Sequence, residues 1–226
     1  MAEIDRGSVL DEVASLGSAL VVVAHPDDES FGLGGVLAAL TRSGVDVRVL
    51  CLTHGEASTL GATKDLAAVR RDELATAAER LGVSDVVLHD FPDGGLDAID
   101  PAVLDGVVLD VLGSAATLIG FDADGVTGHP DHRAATAAAL RVAMDQGLHV
   151  LEWGVSPAVA EVLNAELGTT FAGLTGDSAS DIEVDRTVQL EAIACHESQS
   201  TDNPVLVRRL EISGPVDRIR LRRPGG

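Results

Sequence analysis

The sequence predicts an α/β fold, a mostly parallel sheet with helices on both faces. Three observations carry that expectation. Short β-rich runs alternate with longer Ala-rich segments of helical spacing through residue 154. The first run, "ALVVVA", has the composition of a buried strand. The helical segments stop at glycine or open near proline, as at Gly44, Gly82 and Pro101. A strict β-α-β-α order of this kind implies parallel strands joined by covering helices. The part beyond residue 154 is less regular, and residues 1–226 read as a single domain with room for a sizeable core.

In order, "ALVVVA" (19–24) is the first strand and "FGLGGVLAALTRSG" (31–44) a helix. "VDVRVLCLT" (45–53) is the second strand, followed by the helical "KDLAAVRRDELATAAERLG" (64–82). "SDVVLHD" (84–90) is the third strand, and "PAVLDGVVLDVLG" (101–113) the next helix. "ATLIGFD" (116–122) and "HVLEWG" (149–154) are the fourth and fifth strands, flanking a helix over 129–147. A short helix near 157–167 then leads into small strand-like pieces and a helical stretch over 184–198. "PVDRIRLRR" (215–223) reads as a solvated edge strand. Six of the sixteen basic residues fall between Arg208 and Arg223, offsetting an acidic body.

With four Phe, one Trp and no Tyr, the core must be built from Ala, Val, Leu and Ile. The formal charge of −20, with Lys64 the only lysine, repels nucleic acid and anionic membranes, so neither is expected as a partner. No signal-peptide pattern opens the chain, and no apolar run approaches the roughly 20 residues of a membrane span. The expected compartment is the cytoplasm. Cys51 and Cys195 read as small core residues rather than a disulfide.

Five of the seven histidines fall past the carboxyl ends of strands: His25, His54, His89, His129 and His132. Ligands of open α/β sheets bind at that edge. His149 starts a strand and belongs to the opposite edge. Two of the histidine clusters share a pattern, "HPDDE" (25–29) and "HPDH" (129–132). A helix start accounts for the proline and one acid in each. It does not account for the histidines, nor for a second acid beside the first. A metal does. Imidazole and carboxylate are normal zinc ligands, and a catalytic zinc takes three from the protein and keeps one position open. His25, Asp28 and His132 form such a set, which could also accept Fe(II) or Co(II). Asp27 is then free to act as a base, and Asp131 to orient a ligand imidazole. Glu29 is assigned a helix-start role.

Two other motifs fail. "GLGG" (32–35) has Leu37 where a dinucleotide loop needs glycine, and acids in its turn; those glycines suit close helix packing instead. Cys195 and His196 are neighbours on a helix and do not face each other as a nucleophile and base would.

"AHPDDE" and "GHPDH" together resemble the PIG-L/LmbE-like zinc-dependent N-acetylglucosaminyl deacetylases. Further likenesses are "THGEAS" (53–58), the R-x-x-E helix "RRDELATAAERLGV" (70–83), "FPDGGL" (91–96) and "CHESQ" (195–199), so the resemblance spans about residues 19–200. It implies a Rossmann-like fold, Zn2+ on His25, Asp28 and His132, and Asp27 as general base. His129 is implied to polarise the acyl oxygen and assist the leaving amine. Arg70 and Asp93 are implied to hold a sugar-like substrate. Some members carry a tyrosine just before the second motif, where this chain has Val126 and Thr127. The expected activity is removal of an N-acetyl or related acyl group from an amino sugar or conjugate. The alternatives are a metal-containing sugar-binding pseudoenzyme and a zinc amidase acting on a thiol conjugate or natural product. The expected partner is that small molecule, with a homo-oligomer possible.

Overall fold

The computed structural model describes residues 8–61 and 63–225. Helix α1 (Ser8–Leu16) precedes β1 (Ser18–Val23). The chain continues through α2 (Asp28–Phe31), α3 (Gly34–Arg42), β2 (Asp46–Thr53), α4 (Leu66–Leu81) and β3 (Asp85–Phe91). A 3-10 turn (Leu96–Ala98) leads to α5 (Pro101–Leu112), β4 (Thr117–Phe121), the kinked single turn α6 (Gly125–Gly128), α7 (Pro130–Gln146) and β5 (His149–Gly154). The rest is α8 (Pro157–Leu167), β6 (Ala179–Glu183), α9 (Arg186–Cys195), α10 (Glu197–Ser200), α11 (Pro204–Ser213) and β7 (Val216–Arg222).

The seven strands form one sheet in the order β3-β2-β1-β4-β5-β7-β6. β1 to β5 are parallel, and β7 is antiparallel to both β5 and β6. The predicted mostly parallel α/β architecture is therefore present. Its two halves diverge between β1 and β4, because β1 feeds towards β2 while β4 feeds towards β5. The strand order reverses there, and a crevice opens beyond the carboxyl ends of those two strands.

Period-two alternation sends β1 into two cores. Ala19, Val21 and Val23 join Leu37, Leu74 and Ala192 on one face. Leu20, Val22 and Ala24 join Leu104, Val108 and Ala138 on the other. Each core is almost wholly aliphatic, as the composition requires. The predicted glycine role holds as well. A Cβ on Gly35 would stand 2.9 Å from Asp217 Oδ2 on β7 and from the Val184 side chain, so a larger residue there would have to displace one of them.

Three expectations change. The helix predicted over 31–44 is shorter, α3 over Gly34–Arg42, and Phe31 instead ends the preceding turn α2. The Leu33 N–H reaches back to the Asp28 carbonyl at 3.3 Å, a π-type widening that breaks the helix. The helical stretch predicted over 184–198 likewise divides at His196 into α9 and α10. The arginine-rich strand β7 is not at the edge but between β5 and β6. Its arginines are ion-paired across the sheet. Arg220 and Arg222 each approach Glu152 Oε2 to 2.6 Å, and Arg218 lies 2.8 Å from Asp181. A row of charges reads as solvated until its partners on neighbouring strands are known.

Among the described residues no helix is long and apolar enough to cross a membrane.

Glu152 is fully buried beneath the two guanidinium groups. Burial drives its carboxyl upward, yet hydrogen bonds from Arg220 and Arg222 hold it below the ordinary glutamate value. Glu152→Gln is expected to lower stability by about 2 kcal/mol at neutral pH in chemical denaturation. Because the folded carboxyl is depressed, the gap should persist above about pH 4.3 and close as pH falls through the folded value. A gap unchanged well into acid would remove the ion pairs as its source.

Candidate active site

The turn after β1 carries three consecutive acids, each with a different partner. Asp28 Oδ2 accepts the N–H groups of Ala24 and His25 at 3.1 and 2.9 Å. Its Oδ1 lies 3.2 Å from His132 Nε2. Asp27 Oδ2 accepts Arg70 Nη2 at 3.0 Å. Glu29 Oε1 meets His196 Nε2 at 2.7 Å with both side chains fully buried, while Oε2 accepts the Asp27 N–H at 3.0 Å. Asp27 holds φ at 138°, a strained backbone for a residue other than glycine.

The second motif arrives on α7. Pro130 occupies its first turn, as predicted, and His129 is the cap, with Nδ1 accepting the Asp131 N–H at 3.2 Å. His132, one turn further, points at the β1 turn. Its Nε2 is 3.2 Å from His25 Nδ1, and its Nδ1 is 3.2 Å from the Gly125 carbonyl. Nδ1–H donates a hydrogen bond to that carbonyl, which leaves Nε2 with its electron pair free. His25 Nε2 lies 3.1 Å from Asp93 Oδ1 and 3.4 Å from Asp131 Oδ2.

His25 Nδ1, Asp28 and His132 Nε2 thus converge with their remaining atoms tied back. A tetrahedral zinc with bonds near 2.0–2.1 Å separates its donor atoms by about 3.3 Å. The two 3.2 Å spacings from His132 Nε2 match it, and His25 Nδ1 is 3.7 Å from the far oxygen of Asp28. Two imidazole nitrogens facing each other beside a carboxylate suit a cation, so this donor set fits zinc. A second close group, His25, His129 and Asp131, fits less well. Both Asp131 oxygens already accept backbone N–H groups, from Gly94 at 2.7 Å and Leu96 at 3.0 Å.

The charges follow from these contacts. Burial opposes ionisation of His25, but bonds to Asp131 and Asp93 raise it to about 10. Burial likewise opposes a charge on Asp28, yet His132 and His25 hold its carboxyl well below the usual range. Burial pushes Asp27 up to about 6; Arg70 pulls against that shift and Asp28 adds to it. Burial and the neighbouring His132 and His25 push His129 down, which favours its neutral form. With Nδ1 accepting, neutral His129 carries its proton on Nε2.

All eight residues singled out by sequence reach this region. Arg70 and Asp93, expected to hold substrate, line the cavity but are engaged inside it. Arg70 is buried and donates to the carbonyls of Gly55 at 2.5 Å and Pro26 at 2.7 Å as well as to Asp27. Asp93 Oδ2 accepts the Ala57 N–H at 2.8 Å while Oδ1 faces His25. His54 and His89 stay outside the cluster: His54 pairs with Asp90 at 2.8 Å, and His89 stacks on Phe91.

Sequence reasoning did not assign His196, and it gave Glu29 too small a role. The Glu29 bond to the cap N–H does resemble a helix-start contact, but its other oxygen holds a buried histidine 167 residues away. The resembling segments also interlock. Ser198 Oγ donates to Glu73 at 2.6 Å, and Ser58 Oγ to Gln199 at 2.7 Å, which ties "CHESQ" to the R-x-x-E helix and to "THGEAS". The walls were missed too. Four of the five aromatic residues, Phe31, Phe121, Trp153 and Phe171, line a cavity of about 480 Å³ above the triad. Their scarcity elsewhere was the available signal.

Comparison with known proteins places the chain in a family. The model of the PIG-L family, described as GlcNAc-PI de-N-acetylase, matches residues 20–143. A probable N-acetylglucosaminyl-phosphatidylinositol de-N-acetylase of Schizosaccharomyces pombe is 32% identical over 139 residues, 58% of this chain and 54% of its own length. A 1D-myo-inositol 2-acetamido-2-deoxy-alpha-D-glucopyranoside deacetylase of Kineococcus radiotolerans is 32% identical over 165 residues, 57% of this chain and 46% of its own. The chain spans about half the length of these curated relatives. Among solved structures, a deacetylase of the teicoplanin biosynthesis pathway shares the fold with TM-score 0.69 at 21% identity, covering 92% of this chain and 99% of that one. The N,N'-diacetylchitobiose deacetylase of Pyrococcus horikoshii does so with TM-score 0.66 at 19% identity, covering 96% and 90%. Matched over residues 20–143, more than half of its length, the chain belongs to the PIG-L (GlcNAc-PI de-N-acetylase) family.

Proposed function

We propose that the chain is a metal-dependent N-deacetylase that removes an N-acetyl or related acyl group from an amino sugar or sugar-like conjugate. The observation that carries this reading is the convergence of His25, Asp28 and His132 at the floor of a cavity, with Asp27 beside them. Names of the relatives, which include deacetylases of N-acetylglucosaminyl conjugates, support the substrate class. His25, Asp28 and His132 would hold a zinc ion, which would supply a Lewis acid and a water acidic enough to attack near neutral pH.

The protein's own groups move the protons. Asp27 lines the cavity and is anchored there through Oδ2 on Arg70. It takes the proton from the attacking water. His129, neutral and protonated on Nε2, donates to the acyl oxygen as negative charge develops there. Proton delivery to the departing nitrogen, by Asp27 or His129, releases the free amine and the carboxylic acid. Asp93 and Asp131 fix the His25 ring, and Arg70 fixes the Asp27 turn. Donation by His129 does the work that a tyrosine hydroxyl would share, and the chain has no tyrosine.

Asp27→Asn is expected to keep one zinc per chain and to lose roughly 10²–10⁴-fold in turnover. Stoichiometric metal with near-normal rates would remove Asp27 as the base. His25→Ala is expected to come out of dialysis against a chelator with little metal while the parent chain retains it; metal analysis showing equal, tight occupancy would take His25 out of the site. The function itself is tested by amine release from a panel of N-acetyl sugars and conjugates. Release that is abolished by chelation and restored by zinc is the expected result. Binding without any release from the panel would contradict deacetylation.

A further inference from the structure

Arg209 lies on α11, beyond the residues matched by the family, and nothing above gives it a role. It is 5% exposed and lines the cavity. The other buried arginine, Arg70, is paired with Asp27. Arg209 has no such carboxylate among the described residues. Its Nη2 donates to the Phe31 carbonyl, and its Nη1 has no partner. The acid that acts on it most, Asp217, is itself bonded to Arg186 at 2.9 Å. Burial pushes the guanidinium down to about 10, which still leaves it charged at neutral pH. Buried cations in proteins are normally paired, and this chain has 36 acids for 16 bases to choose from.

The surroundings of Arg209 add to the imbalance. Its guanidinium carbon stands 5.4 Å from the centre of the Trp153 ring, and Trp153 Nε1 is buried without an acceptor. Two neighbouring donors therefore lack acceptors. Trp153 packs on Phe121 with ring centres 5.6 Å apart, and Phe121 on His132 at 5.0 Å. An unbroken aromatic wall runs from the candidate metal triad to the arginine.

We propose that Arg209 receives an anionic group of the substrate, a carboxylate or phosphate on the side of the conjugate away from the scissile amide. The proposal rests on the deacetylase reading for the nature of that substrate. The carboxylates around His25 repel an anion, so the acid group settles only at the Arg209 end of the wall. This fixes the direction of the bound molecule: acyl amide at the triad, apolar face along Phe121 and Trp153, acid on Arg209. The arginine is then a specificity-determining residue, supplying the charge-assisted bond that neutral conjugates cannot make.

The test uses three N-acetylglucosamine conjugates that are identical except for a hydroxyl, a carboxylate or a phosphate on the aglycone. With the zinc-loaded full chain, kcat/KM for at least one acidic conjugate should exceed that for the neutral one by roughly 10-fold or more. The ratio should collapse in Arg209→Met and survive in part in Arg209→Lys. Calorimetric binding of the same three molecules to the zinc-loaded Asp27→Asn chain separates this proposal from the activity. Equal binding of all three overturns the Arg209 assignment, whether or not the parent chain releases amine. Tighter binding of an acidic conjugate, lost when Arg209→Met is added, supports it. That result with no amine released by the parent chain overturns deacetylation and leaves the anion site standing.

Discussion

The imidazole of His25 is the point on which the site turns. One nitrogen faces Asp28 and His132; the other faces Asp93 and Asp131. Through one ring the end of β1 is joined to the loop after β3 and to the first turn of α7. These segments lie 68 or more residues from His25 in sequence, and the sheet order brings them to one edge. A carboxylate on the outer nitrogen makes the inner nitrogen a better electron donor and fixes its direction. Replacing the ring therefore removes a candidate ligand and also unties three segments of backbone.

The same turn solves a charge problem. Asp27, Asp28 and Glu29 are consecutive and all buried or nearly so, and acids in low dielectric repel one another strongly. Each has partners of its own: Arg70 for Asp27, the Ala24 and His25 N–H groups for Asp28, and His196 for Glu29. Separating them requires the backbone to twist at Asp27, and the Glu29 bond to the Asp27 N–H holds that twist. Val126, before the second motif, is also held at positive φ, at 62°. Strained residues flank the cavity on both sides, as is common where geometry serves chemistry, at a cost of order 1–3 kcal/mol each.

Much of this was legible in the sequence, for reasons that can be named. Strands β1 to β5 and the helices between them follow local patterns, so their order and parallel pairing were readable. The triad was readable because the two HPD segments carry more histidines and acids than helix starts need. Other features depend on partners distant in sequence. Glu29 looked like a helix-start acid because nothing local reveals His196 beneath it. Arg218, Arg220 and Arg222 looked solvated because Glu152 and Asp181 belong to other strands. Arg70 and Asp93 were placed in the right region, but their bonds to Asp27 and His25 form only in three dimensions. The aromatic wall leaves no periodic trace at all, since its members come from four separate segments.

The central claim is that His25, Asp28 and His132 together hold one metal ion. X-ray absorption spectroscopy of the chain loaded with one equivalent of zinc tests it most directly. The account predicts a first shell of nitrogen and oxygen only, near 2.0–2.1 Å, with the outer-shell scattering of two imidazoles. Sulfur in the first shell, or scattering from fewer than two imidazoles, would contradict it.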